Sequence, residues 1–175
     1  MKTHSHDHNE LLNSAIEELK IFPNEGIGQV RFGMRPSEVK LIMGSYVKNY
    51  GEWMGQSVDN DFCYGDIIIS FSEEHIDEEK PHPIYCPPLH PHARVDAFFV
   101  DCSSNRVTVN DVTLNHITKE LLCGMEINGN KPEVIDGSVC GIGDDVCFRN
   151  AGLSFQFETD GSFQYLEMCK RHDEH

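Results

Sequence analysis

His82, Cys86, His90 and His92 place three imidazoles and one thiol inside residues 82–92. Neutral imidazole and thiolate are the ligands that zinc and other late transition metals prefer. Pro81, Pro83, Pro87, Pro88 and Pro91 stiffen the same stretch and lower the entropy lost on closing around an ion. The spacing matches no closed zinc motif, because the chain has no Cys-x-x-Cys pair, and the prolines forbid a helix that would stack the ligands on one face. A solvated polyproline-like loop, which needs no internal hydrogen bonds, is the competing reading. Cys86 beside a loop histidine is the one pair that could supply an activated thiol, and nearness in sequence does not establish that geometry.

The preceding residues carry a different chemistry. Glu73, Glu74, Asp77, Glu78 and Glu79 form an acidic run, with Tyr85 following it and the sole tryptophan, Trp53, upstream. Neighbouring carboxylates do not converge on a substrate from opposite sides, so solvated charge is the expectation over acid–base catalysis. Tyrosine and tryptophan are favoured interface anchors, and beside an acidic rim they point to recognition of another protein. Gly141-Ile142-Gly143 lacks the spacing and the strand–turn–helix setting of a nucleotide loop. Nothing commits the chain to an enzyme. The expected function is non-enzymatic protein binding, with a transition-metal module as the alternative.

These residues sit between elements that the pattern makes regular. Leu153 to Phe157 and Phe163 to Met168 alternate around Thr159-Asp160-Gly161-Ser162, a strong hairpin signal. Ile67 to Phe71 and Arg94 to Val100 look like a second hairpin whose turn has been replaced by residues 72–93. A connection that long inside a domain is uncommon and usually functional or disordered. Pro36 in a first helical turn, Val39, Ile42 and Met43 as an apolar stripe, and Gly44 as a stop predict a helix. Asn115 to Gly124, with Ile117, Leu121 and Leu122, predicts another. Leu11, Leu12, Ala15, Ile16 and Leu19 predict an N-terminal helix from Asn9 to about Ile21.

The order of extended segment, helix, irregular stretch and hairpin thus occurs twice. The expected fold is α+β: a tail over 1–8, a helix and linker over 9–25, and two tandem helix-plus-antiparallel-sheet repeats over 26–102 and 103–175. His4, His6 and His8 lie in the tail and read as adventitious metal affinity.

Charge bounds the partner. Against 14 basic side chains stand 29 acidic ones, a formal charge of -15. Such a surface repels phosphate backbones, which excludes nucleic acid, and it suits a basic protein partner. No run of about 18 apolar residues occurs, so no membrane span is expected. The opening residues lack an apolar core of the secretory type, which predicts a cytoplasmic protein. Seven cysteines, an odd number with irregular spacing, are expected as reduced thiols.

The stretch Gly26-Ile27-Gly28-Gln29-Val30-Arg31-Phe32-Gly33-Met34-Arg35-Pro36-Ser37-Glu38-Val39, running on to Met43-Gly44, resembles the opening of the small domains of outer-membrane assembly lipoproteins. Doubled, such domains are similar to the tandem β-lactamase inhibitor protein. With a second half like Leu114 to Leu122, the chain also resembles bacterial toxin-immunity proteins. The resemblance implies a fold and a habit of binding proteins, and it supplies no catalytic residues. Arg35 stands where a Ser or Thr cap would be usual.

Overall fold

The computed structural model describes residues 18–46, 52–53, 56–57, 61–72, 89, 91–137 and 143–170. In chain order the first strands are β1 (Leu19–Phe22), β2 (Gly26–Ile27) and β3 (Val30–Arg31), followed by helix α1 (Pro36–Met43). Then come β4 (Glu52–Trp53), β5 (Gln56–Ser57), β6 (Asp61–Tyr64), β7 (Ile67–Ser72) and β8 (Arg94–Asp101). The rest comprises β9 (Val107–Val109), β10 (Val112–Thr113), helix α2 (Lys119–Cys123), β11 (Glu133–Ile135), β12 (Asp145–Phe148), β13 (Leu153–Phe157) and β14 (Phe163–Cys169).

Both expected hairpins form. β13 and β14 pair with Leu153 opposite Met168 and Phe155 opposite Leu166. Gly161 takes φ +84° in their turn, a conformation that costs glycine nothing. β7 and β8 pair with Ile67 opposite Val100 and Ile69 opposite Phe98, although residues 73–88 between them lie outside the described set. The two hairpins do not build separate sheets. β14 pairs directly with β8, giving one seven-stranded sheet in the order β11-β12-β13-β14-β8-β7-β6. A smaller five-stranded sheet runs β10-β9-β1-β2-β3, and β4 pairs with β5.

The α+β expectation of two helix-plus-sheet repeats behind an N-terminal helix is therefore corrected: the chain is mostly β. Its described α-helices are two, of eight and five residues. Leu19 to Phe22, expected at the end of an N-terminal helix, is strand β1, with Leu19 opposite Val107 in a parallel pair. Leu19 N–H donates to the Arg106 carbonyl at 2.7 Å, so long-range pairing overrides a helix-compatible spacing. Residues 9–17 of that expected helix, and the tail before them, lie outside the described set. The second helix is shorter than its pattern suggested. Leu114–His116 is a single 3₁₀ turn, and Thr118, not Asn115, caps α2 by accepting from Leu121 N–H at 3.2 Å. Helix α1 keeps its expected limits. Glu38 accepts from the Arg35 N–H at 2.6 Å, which caps α1 without a Ser or Thr.

One face of the large sheet carries the core. Phe148, Val146, Leu153, Phe155, Phe157, Leu166, Met168, Phe98, Val100, Ile67 and Ile69 are all buried there, as their register requires. Val30, Val39, Val107, Val109, Leu114 and Leu122 of the smaller elements join the same cluster. The opposite face changes character across the sheet. Cys63 and Ile68 are buried at one side, whereas Asp145, Cys147, Ser154, Tyr165 and Glu167 are half-exposed at the other.

Candidate functional site

Polar chemistry collects at the β11–β14 side of the large sheet. Register places Cys147, Ser154 and Glu167 in one row across β12, β13 and β14, and Asp145, Gln156 and Tyr165 in the next row. Glu133 and Ile135 of β11 extend the two rows to the sheet edge. Odd-numbered and even-numbered positions diverge on neighbouring strands, so this face follows from the same alternation that buries Val146 and Phe148 on the other.

Two hollows flank these rows at opposite ends of the strands. The first, about 340 Å³, is lined by Cys147, Arg149, Ser154, Glu167, Cys169 and Lys170, among others. Cys147 Sγ lies 3.3 Å from Ser154 Oγ, and Cys169 Sγ donates to Glu167 Oε1 at 3.1 Å. Burial pushes the Cys147 thiol up. Burial, with the Glu167 carboxylate beside it, pushes Cys169 up to about 12. Both sulfurs are thus held as thiols at neutral pH, the wrong state for a nucleophile or a metal ligand.

The second hollow, about 460 Å³, lies beyond the Asp145 end of β12. Among the described residues Asp136, Asp144, Glu158 and Asp160 line it, with Lys119 as its one basic side chain. Lys119 Nζ donates to Asp144, and that hydrogen bond raises the lysine pKa. Asp160 Oδ1 accepts from Ser162 N–H at 2.9 Å and Ser162 Oγ at 2.6 Å, which lowers its pKa and fixes the turn. Gly143 makes the wall possible: a Cβ there would lie 1.7 Å from the Phe157 carbonyl oxygen, so no other residue fits without moving backbone.

Asp145 follows Asp144 at the start of β12 and stands in the second of the two rows. Burial first, then the neighbouring Glu167 and Asp144 carboxylates, raises its pKa. Its Oδ1 is enclosed and has no hydrogen-bond partner among the described residues. A carboxylate left in that condition costs stability.

Of the residues singled out from sequence for partner or metal binding, Trp53 and His92 fall within the described set. Trp53 lies in β4, opposite Gln56. Glu73, Glu74, Asp77, Glu78, Glu79 and Tyr85 lie outside the described residues, as do His82, Cys86 and His90. His92 sits in the turn before β8, where it is exposed. Among the described residues no group of three or more His, Cys, Asp and Glu side chains is placed to hold a metal ion. No described helix is long and apolar enough to cross a membrane. Sequence reasoning missed β11 altogether. Its signal is short: Glu133-Val134-Ile135 between Pro132 and Asp136-Gly137, two β-branched residues bracketed by turn formers.

Comparison with protein-family models, with curated proteins and with solved structures finds no match. The functional reading therefore stands on the geometry and the chemistry of these side chains.

Proposed function

We propose that this chain is a non-enzymatic protein-binding protein that receives a basic partner on its acidic surface. The observation that carries the reading is the second hollow, where, among the described residues, four carboxylates face a single lysine already engaged by Asp144. The negative balance of the whole chain, -15, extends that field and would speed encounter with a cationic protein. Protonated Cys147 and Cys169 favour binding over thiol chemistry in the other hollow. An immunity or inhibitor role is the most concrete form of the proposal, supported by the resemblance carried by Gly26 to Gly44. A cytoplasmic setting belongs to it as well: among the described residues Cys102, Cys123, Cys147 and Cys169 form no disulfide, in keeping with a reducing compartment.

The test is a calorimetric titration of the purified chain against a basic protein encoded beside it, at about 50 mM and about 500 mM salt. Saturable binding that weakens steeply with salt supports the proposal. No heat at either salt, with both proteins folded, counts against it.

A further inference from the structure

The two edges of the seven-stranded sheet are treated differently. At β6, Phe62 and Cys63 are buried, and Tyr46 stacks on Phe62 with ring centroids 3.9 Å apart. Lys40 Nζ lies 5.2 Å from the Phe62 ring centroid and adds to that cover. At β11 every residue is exposed, with Val134 at 44 % and Ile135 at 41 %. Among the described residues β11 pairs on one side alone, with β12.

An edge strand presents N–H and C=O groups away from its sheet, and proteins usually blunt it with lysine, an internal proline or a bulge. β11 carries none of these within its three residues. Pro132 precedes it, and its one charge, Glu133, is taken up by Arg149 at 2.5 Å from Nε to Oε2. Val134 and Ile135 project to opposite faces, so an added strand would meet an apolar β-branched neighbour on each side. Immediately past Ile135 comes Asp136, on the wall of the acidic hollow. That hollow has the volume for one lysine or arginine side chain and the charge to favour it.

A second copy of the chain is the other plausible occupant in shape, and charge argues against it, because each copy brings -15 to the contact. A basic segment reverses that sign.

We propose that β11 receives an extended segment of a basic partner as an eighth strand, with apolar side chains against Val134 and Ile135 and a lysine or arginine in the hollow lined by Asp136, Glu158 and Asp160. This rests on the binding function proposed above and names the part of the partner that is recognised. Main-chain pairing supplies affinity and the side-chain positions supply specificity, as in other strand-addition complexes.

The probe is an eight-residue peptide of four consecutive valines flanked by two lysines at each end, which offers an apolar side chain to both faces, titrated into the isotope-labelled full chain and followed by amide NMR. The controls are the same peptide N-methylated at every second amide, in each of the two phases. Methylation leaves charge intact and removes the strand's donors. The expected result is shifts centred on residues 133–136 and 158–161, with affinity at least about tenfold weaker for one methylated phase. Ile135→Lys, an exposed change that spares the core, should weaken the unmodified peptide by a similar factor. Equal affinity for all three peptides would mean that charge alone holds them; it would overturn strand addition and leave the basic-partner reading standing. Shifts elsewhere would do the same. A salt-insensitive dimer abolished by Ile135→Lys would assign the edge to a second copy and would also overturn the proposal.

Discussion

Arg106 Nε donates to Asp66 Oδ1 at 2.8 Å, joining the turn between β6 and β7 to the entrance of β9. Ser104 Oγ adds a hydrogen bond to Asp66 Oδ2 at 2.6 Å, and Arg106 also reaches the Tyr64 carbonyl at 2.7 Å. The large sheet and the small one are thereby clamped by a half-buried ion pair whose polar atoms are otherwise satisfied.

Removing the cation leaves the half-buried Asp66 with Ser104 but without its main partner. Arg106→Ala is expected to cost about 3 kcal/mol of folding stability, because breaking such a pair costs more than the pair contributes. Urea unfolding followed by circular dichroism measures it. A loss below about 0.5 kcal/mol, the range of an ordinary surface change, would contradict the clamp.

The same pair sets a pH response. Burial alone would raise the Asp66 carboxyl, but hydrogen bonds from Arg106 and Ser104 outweigh it and hold the pKa below its usual value. A carboxylate with a lowered folded pKa contributes stability above the unfolded value of about 3.9, and that contribution is lost as pH falls through the folded pKa. Wild-type stability should therefore drop below about pH 4 more steeply than that of Asp66→Asn, which lacks the titrating group. Parallel pH profiles of the two proteins would sink the assignment.

Asp145 has the opposite sign. Its folded pKa is raised by burial, Glu167 and Asp144, so the ionised form burdens the native state and the burden lifts as pH falls. Asp145→Asn is expected to stabilise the fold at pH 7 by about 0.5–1 kcal/mol, read as a higher Tm. The gain should vanish toward pH 3, where the wild-type carboxyl is neutral in both states. A lower Tm at pH 7 would show that Asp145 has a partner that the geometry does not provide.

Cys169 should be slow to alkylate. Its thiol is pushed up to about 12 by burial and by Glu167. Glu167→Gln removes the carboxylate, lowers the thiol pKa and should speed iodoacetamide labelling of Cys169 at pH 8 several-fold, by mass spectrometry of the labelled peptides. Cys123, exposed as Cys169 is but with no hydrogen bond to Glu167, supplies the internal reference, and its rate should not change. An unchanged Cys169 rate would remove Glu167 from the account.

Where the sequence was legible, local and cross-strand signals agreed. Asp160-Gly161 set the tight turn, and alternation through Ile67 to Phe71 and Arg94 to Val100 identified strands that pair across a long insertion. It failed where a long-range partner decided. Leu19 to Phe22 has apolar residues that suit a helix, and only pairing with β9 makes it a strand. Val107 to Thr113 is β-branched at most positions, yet Asn110 and Asp111 adopt φ of 48° and 63° and turn it into a hairpin. The candidate site was hidden for a similar reason. Asp136 and Asp144 lie on the β11–β12 connection and Glu158 and Asp160 on the β13–β14 turn, and their convergence depends on β11, β12 and β13 lying side by side. The acidic run at Glu73 to Glu79 drew attention because it is contiguous, and the assembled cluster has no contiguous signature.

The most direct measurement is amide hydrogen exchange of the chain alone and in complex with its basic partner. The account predicts added protection at residues 133–136 and at residues 158–161, with the β6 edge unchanged. Protection confined to other surfaces, or none in a complex that demonstrably forms, would contradict it.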